Sequence, residues 1–548
     1  MSRRMLLLSV AAIAAAQQVE PVYRAGTQLV QVDVEVRNEK GAVRGLTKDD
    51  FILQDKGKAQ AISLFAMNET GPDAPKAAPL PAGVVSNRIN ADGESAENAV
   101  VILFDRLNII DPPGSTSSSS STAGGAFSAL AAGAQARAGR QILEVLASLK
   151  PSQRVGLYSL FQDLTVVRDF TEDPTPLIES AKRLLSSTPE TAPTPEGQAL
   201  DKSLRDALTT GIPLDQTVRA EITQRAFRGI ARRMDGVQGR KSLIWIVSSF
   251  PLTFGNDASR RSNDEAEVNA VANELSDANV AVYAIDPRGA GTGLGQASTD
   301  TARGTQQEGH LMNGRGGAGG GLGSLDASSQ SVSTLSGPQA METIASQTGG
   351  ESLISVNDIS RPIRDVIDTS SVSYTLGFYV DGKALDNKKH ELTVKLAKKA
   401  ETAGAKALYR RSYIATARTD HPQMNELIAD RLDANRVGLM AVALPAPNRP
   451  GVDAVQIRVD LKDLQFEKRA DKWVASFDLA LAIDGQTQAN ISPENLSLSD
   501  DQLKQGLAGG VTIDNTVPAP GKAATLRVVV QDKSSGEAGS VRIPLPGK

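Results

Sequence analysis

Across residues 29–37 apolar and polar side chains alternate, with Val30, Val32, Val34 and Val36 on one face and Gln31, Asp33 and Glu35 on the other. That period of two predicts a half-buried strand. Asn38-Glu39-Lys40-Gly41 turns the chain, and residues 51–53 and 61–65 read as further short strands. Residues 71–98 are rich in Pro, Ala, Gly and Asn without sustained periodicity, so they read as a linker. The texture then changes: residues 99–104 form a continuous apolar run ending at Asp105, the pattern of a strand covered on both faces. Residues 154–161, 242–247 and 280–285 repeat it.

Helical stripes fall between these runs. Ile142, Leu143, Val145, Leu146 and Leu149 share one face, as do Val218, Ile222, Ala226 and Ile230, and further helices are predicted over 176–185, 263–278, from Pro338 to Gln347 and over 363–367. Strand and helix alternation predicts a doubly wound, mostly parallel α/β domain over residues 99–371. Two segments break the pattern, 111–139 with its serine run and 287–337 dominated by Gly and Ser; both read as disordered insertions. Each follows a buried strand and should leave from the carboxyl edge of the sheet, where α/β folds place their sites.

Strand patterns return after residue 371, at 372–380, 391–396 and 407–414. Neither this β segment, 372–416, nor the N-terminal one, 17–70, is large enough to bury a comfortable core alone. The two are expected to pair into one β-sandwich into which the α/β domain is inserted. Alternation at 455–461, 473–479 and 525–530 predicts a C-terminal β-sandwich over 417–548.

Composition narrows the function. The chain has 548 residues, suggesting several domains, and carries 59 Lys and Arg against 63 Asp and Glu, a net charge of -4. No basic excess exists to drive nucleic-acid binding. With no cysteine, disulfides, thiolate metal sites and catalytic thiols are excluded. At the N-terminus Arg3 and Arg4 precede an apolar run from 5 to 16 that ends in Ala14, Ala15 and Ala16. Roughly 12 apolar residues rise only about 18 Å as a helix, short of a hydrocarbon core of about 30 Å, so residues 1–16 read as a secretory signal peptide. No later stretch is apolar enough to span, and the mature chain is expected to be exported, periplasmic or extracellular, without a transmembrane segment.

Several phrases, taken together, resemble the von Willebrand factor A-related family abundant in acidobacterial genomes. They are Val32-Asp33-Val34-Glu35-Val36 followed by Gly41, Leu46-Thr47-Lys48-Asp49-Asp50-Phe51, Phe104-Asp105-Arg106-Leu107-Asn108, Gly239-Arg240-Lys241-Ser242 and Tyr374-Thr375-Leu376-Gly377-Phe378-Tyr379, spanning residues 25–416. The resemblance implies a von Willebrand A-type fold whose binding rim follows the first strand. In the wider superfamily that strand ends in Asp-x-Ser-x-Ser, whose oxygens hold Mg²⁺. Here Leu107 and Ile109 occupy the hydroxyl positions, and alkyl groups offer a hard cation nothing. The metal site is therefore expected to be degenerate, with a weak Mg²⁺ set of Asp105, Asn108 and Ser248 as the alternative to a buried-edge Asp105 paired with Arg106 or capping backbone donors. The wider rim comprises Asp105, Arg106, Asn108, Ser248, Ser249 and Asp286. No cofactor is expected.

Catalytic readings fail on chemistry. Gly314-Arg315-Gly316-Gly317-Ala318-Gly319 matches a dinucleotide fingerprint only as glycine-rich text, and Gly239-Arg240-Lys241-Ser242 precedes a strand and reads as a turn with a basic flank. The three histidines, His310, His390 and His421, read as solvated surface residues, leaving no base for a serine nucleophile. Asp49 with Asp50, and Glu172 with Asp173, read as helix-start caps. Arg225, Arg228, Arg232 and Arg233 read as a solvated helix face. The sequence thus predicts a non-enzymatic interaction or adhesion-type protein with a protein or envelope component as partner. Divalent-metal-dependent adhesion is the alternative within binding, and an envelope hydrolase the alternative outside it.

Overall fold

The computed structural model describes residues 27–39, 41–69, 80–88, 99–109, 121–150, 153–171, 173–186, 216–237, 239–251, 258–288, 337–354, 356–381, 386, 388–397, 404–415, 421–446, 451–484 and 489–545. The expected signal peptide, His310 and the 314–319 glycine run lie outside these residues. So do residues 111–120 and nearly all of 287–337. The chain is a mixed α/β protein. Among the described residues no helix is long and apolar enough to cross a membrane.

In chain order the first strands are β1 (Thr27–Asn38), β2 (Gly41–Ala42), β3 (Phe51–Asp55), β4 (Lys58–Gln60) and β5 (Leu64–Glu69). Then come β6 (Val85–Ser86), β7 (Ala99–Asp105), β8 (Val155–Leu160), β9 (Leu164–Thr171), β10 (Lys241–Ile246), β11 (Val280–Ile285) and β12 (Ser352–Leu353). Helices α1 (Ser121–Ala147), α2 (Pro174–Ser186), α3 (Gln216–Asp235), α4 (Ala258–Asp277), α5 (Gly337–Thr348) and α6 (Ser360–Thr369) alternate with the later ones.

Strands β7 to β12 form one sheet in the order β12-β11-β10-β7-β8-β9, parallel except for the edge strand β9. All of β7, β8, β10 and β11 is buried, which is why their sequences run apolar without alternation. Side-chain parity still sorts them. Val101 and Leu103 point into a core closed by α3, α4 and α5 through Phe227, Ile230, Val268 and Met341. Val100, Ile102 and Phe104 point into the opposite core, closed by α1, α2 and α6 through Ile142, Val145, Leu177 and Ile363.

Helix α1 begins at Ser121, so the disordered reading of 111–139 is corrected for its second half. Residues 126–140 are alanine-rich; intrinsic propensity forms the helix although no apolar stripe marks it.

After α6 come β13 (Val372–Asp381), β14 (Lys389–Leu396), β15 (Lys406–Leu408) and β16 (Ser412–Ile414). β13 lies between β1 and β5, antiparallel to both, with Val30 opposite Phe378; β14 pairs β3. Two sheets, β15-β1-β13-β5 and β16-β14-β3-β4, share a core of Val32, Val34, Phe51, Leu53, Tyr374, Leu376 and Val394. Strands from both sides of the α/β segment thus build one β unit. In it His390 is not a solvated residue but 4% exposed. Its ring nitrogens face Asp55 (3.0 Å) and Asp386 (3.2 Å), and the Tyr413 hydroxyl donates to Asp55 (3.1 Å).

The C-terminal part comprises α7 (Met424–Ala429), β17 (Leu439–Pro445), β18 (Val452–Val459), β19 (Glu467–Arg469), β20 (Lys472–Ile483), β21 (Asn490–Leu498), α8 (Asp500–Gly509), β22 (Val511–Pro518), β23 (Ala524–Asp532) and β24 (Ala538–Leu545). Sheet β22-β18-β17-β6 and sheet β19-β20-β23-β24, with β21 on β20, bury a shared core that includes Ile457, Phe477, Leu479, Val528 and Val541. The presence of β6 here corrects the linker reading of 71–98 at residues 80–88, the part of it that is described. A two-residue strand has no period to read, and its anchor is a polar side chain: Asn87 Nδ2 donates to the Ala434 and Val437 carbonyls (2.8 Å each) and its Oδ1 accepts from Leu439 N (2.8 Å).

Buried arginines join these units. Arg240, read from the sequence as the basic flank of a turn, is 2% exposed. It pairs with Glu35 of β1 (3.3 Å) and donates to the Tyr283 hydroxyl (3.0 Å) and the Gly349 carbonyl (3.0 Å); Tyr283 in turn donates to Glu35 (2.9 Å). Arg232 and Arg233 likewise leave the expected solvated face. Arg232 binds Asp430 (2.7 Å), while Arg233 donates to Asp169 (2.6 Å) and the Asn87 carbonyl (2.8 Å). Only Arg225 and Arg228 of that group are exposed. Removing one partner of a buried ion pair strands the other. Arg240→Met is expected to cost about 3–5 kcal/mol of unfolding free energy, and Glu35→Leu/Arg240→Met to recover most of it, both read by urea denaturation; a neutral single substitution would refute the joint's role.

Candidate interaction rim

The parallel strands end together, since the register places Ile246 beside both Phe104 and Ile285. Asp105, the last residue of β7, therefore stands at the carboxyl edge of the sheet, and the turn after it carries the sequence-derived candidates. Its carboxylate is fully buried. Oδ1 accepts from Asn108 N (2.9 Å), while Oδ2 accepts from Asn108 Nδ2 (2.8 Å) and Trp245 Nε1 (2.9 Å). Trp245 is held for this by edge-on contact with Phe227, centroids 4.9 Å apart.

Asn108 is the hub of the network. Its Nδ2 also donates to Thr223 Oγ1 (2.9 Å), and its Oδ1 accepts from Arg219 Nε (3.2 Å) and Nη2 (2.9 Å). Arg219, not its neighbour Arg106, thus supplies the positive charge beside Asp105. Burial pushes the Asp105 carboxyl up to about 6 against the opposing pull of its donors, and burial lowers the Arg219 guanidinium.

Leu107 and Ile109 explain why the turn faces inward. Leu107 is buried in the core beneath α3 and Ile109 in the opposite core beneath α1, so the turn drives one alkyl group into each layer. Arg106 is half-buried, with its N–H on the Leu160 carbonyl (2.8 Å) and its own carbonyl taken by Gln135 (3.3 Å).

Ser248, Ser249 and Asp286 lie on adjacent strand ends and are almost wholly buried. Ser248 N donates to the Asn108 carbonyl (3.3 Å), and its hydroxyl has no hydrogen-bond partner among the described residues. Ser249 Oγ donates to the Phe250 carbonyl (3.4 Å). Asp286 is held by Arg288, with Nε on Oδ1 (3.0 Å) and Nη2 on Oδ2 (2.8 Å), and the same Nη2 reaches the Ser248 carbonyl (2.9 Å). The structure therefore brings Asp105, Asn108 and Ser248 together and places Asp286 with Arg288 beside them.

These donors do not suit a hard divalent cation, which needs about six oxygens converging on one point. Both Asp105 oxygens and the Asn108 oxygen already accept N–H groups, two of them from a guanidinium, and the Ser248 hydroxyl alone is left. Among the described residues no group of three or more His, Asp or Glu is placed to hold a metal. Sequence reasoning missed Arg219, Thr223, Trp245 and Arg288. A signal for the first two existed: they stand four apart on the α3 flank beside the Ile222 and Ala226 stripe, so one helix face carries both.

No family model matches the chain, and no curated protein matches it. Solved structures similar to it include an aerotolerance-related membrane protein from Bacteroides fragilis NCTC 9343 with multiple mutations to serines, at 14% identity over 50% of this chain and 98% of that one, TM-score 0.25. Others are von Willebrand factor type A from Catenulispora acidiphila (10% identity, 89% and 74%, TM-score 0.25) and manganese-loaded TRAP protein of Plasmodium vivax (14%, 37% and 59%, TM-score 0.17).

The raised Asp105 carboxyl sets a pH dependence. In the folded chain it holds its proton to about pH 6, whereas unfolded it loses it near pH 4. The folded state binds the extra proton between these values, so unfolding free energy falls as pH rises through this window, by about 3 kcal/mol at most. Asp105→Asn should lack that slope in denaturant titrations between pH 4 and 7; an identical slope would assign it to other groups.

Proposed function

We propose that the chain is an exported, non-enzymatic interaction protein of the periplasm or cell exterior. Its α/β part is a von Willebrand A-type, doubly wound domain with a degenerate metal site, set between the two halves of an N-terminal β-sandwich and followed by a C-terminal one. It binds a protein or envelope component without a metal ion. The observation that carries this reading is the Asp105, Asn108 and Arg219 network. An internal guanidinium occupies the electrostatic place of a cation, so the rim recognises a partner by shape and hydrogen bonding. Support comes also from the motif phrases through residues 25–416 and from the run of parallel strands between two helix layers.

Metal-dependent adhesion is retained as the second reading on one observation, the buried Ser248 hydroxyl without a partner beside Asn108. Calorimetric titration with Mg²⁺, Mn²⁺ and Ca²⁺ at millimolar concentration separates the two. The proposal expects no binding heat, no rise in melting temperature, and unchanged recovery of a crosslinked envelope partner in EDTA. A melting shift together with loss of that partner in EDTA would establish the second reading instead.

A further inference from the structure

A cleft lies in the C-terminal part, away from the rim. On the outer face of the β6-β17-β18 sheet this cleft of about 190 Å³ has the start of β17 as its floor and the last turn of α8 as one wall. The wall sits tightly against the strand. Gly510 takes φ 72°, and a Cβ there would meet the Val459 carbonyl at 2.7 Å, so a glycine is required for α8 to end flush on β18. Arg458 lies along this junction with its Nε donating to the Gly509 carbonyl.

Charge in the cleft is uneven. Arg88 is neutralised by Asp460 (3.3 Å) and by Asp463. Arg458 and Lys462 are exposed, and neither forms an ion pair with a carboxylate among the described residues. A chain of net charge -4 thus concentrates two uncompensated cations at one mouth. Apolar surface adjoins them: Leu507, on the last turn of α8, is 36% exposed, and Met440 is half-buried on the floor.

We propose that this cleft docks an acidic peptide segment of a partner protein, with a carboxylate between Arg458 and Lys462 and a neighbouring apolar side chain on Leu507 and Met440. Volume favours a peptide anchor over a free metabolite, because small-molecule sites occupy about 300–1,000 Å³ and this cleft, at about 190 Å³, is smaller than that range. Charge complementarity selects the acid, and Arg458, fixed through Nε, leaves its terminal N–H groups to pair with a carboxylate fork.

Fluorescence anisotropy on the full chain tests this with a labelled peptide of alternating leucine and glutamate, its glutamine counterpart and a lysine counterpart. The glutamate peptide should bind at least about tenfold more tightly than either, an interval of about 1.4 kcal/mol. Arg458→Glu/Lys462→Glu should abolish that preference, and Leu507→Ala should weaken binding several-fold. Lys462→Glu alone, which leaves the Arg458 bond to the Gly509 carbonyl intact, should lower the preference without lowering the melting temperature. Arg361→Glu, an exposed charge reversal on α6, controls for bulk electrostatics and should leave binding unchanged. Equal binding of the glutamine peptide, indifference to the double substitution, or an equal loss in Arg361→Glu would overturn the proposal. So would a double-variant effect seen only on anionic phosphatidylglycerol vesicles and not on the peptide.

Discussion

The Glu35 and Arg240 pair fixes how the parts of this protein stand to one another. Neither group is accessible to water, and a charge placed there is tolerated only when its partners are supplied on every side. The supply comes from distant stretches of chain. Arg240 lies just before β10, Glu35 on β1, Tyr283 on β11, and the Gly349 and Leu408 carbonyls close the remaining directions. No single unit satisfies Arg240 alone, so the β unit and the parallel sheet are locked at the amino ends of the strands. The carboxyl ends, with Asp105, lie at the opposite edge of the sheet. A second set of arginines does the same on α3: Arg232 and Arg233 reach Asp430, Asp169 and the Asn87 carbonyl, and Leu432 enters the α3 core directly.

At the carboxyl edge the same chemistry is turned on a smaller scale. Asp105 could face solvent only if its donors were weak, yet three N–H groups and a nearby guanidinium hold it inward. Satisfying a buried carboxylate internally removes its lone pairs from any outside ligand, whether metal or partner. What the rim presents outward is therefore the contour made by the surrounding turns, not the carboxylate.

Much of the fold was legible because burial on both faces writes continuous apolar runs; β7, β8, β10 and β11 could be read directly. The failures share a cause. Alternation says that the two faces of a strand differ, not that the polar face meets water: Asp33 and Glu35 on β1 are buried by polar contacts with Thr375 of the neighbouring β13 and with Asn279, Tyr283 and Arg240 of the α/β part. The same assumption misplaced Arg232 and Arg233. His390 is instructive, since it shares strand parity with Leu392, Val394 and Leu396, all buried, and that parity marked it as inward. At the site, the alkyl residues at 107 and 109 were visible in sequence, but the partners that close around Asp105 come from α3 and β10. No local pattern announces a contact across 111 or 140 residues.

Those two alkyl groups also set the mechanics of the rim. Leu107 and Ile109 are driven into opposite cores, with Asn108 between them bonded to Asp105, Thr223 and Arg219. Moving this turn would require withdrawing both side chains from close-packed layers and breaking the polar network at the same step, a concerted loss of several interactions of about 1–3 kcal/mol each. A turn anchored in this way is a poor switch and a good template. A partner of the kind proposed would meet a preformed surface at this edge, and little ordering entropy would be lost on association.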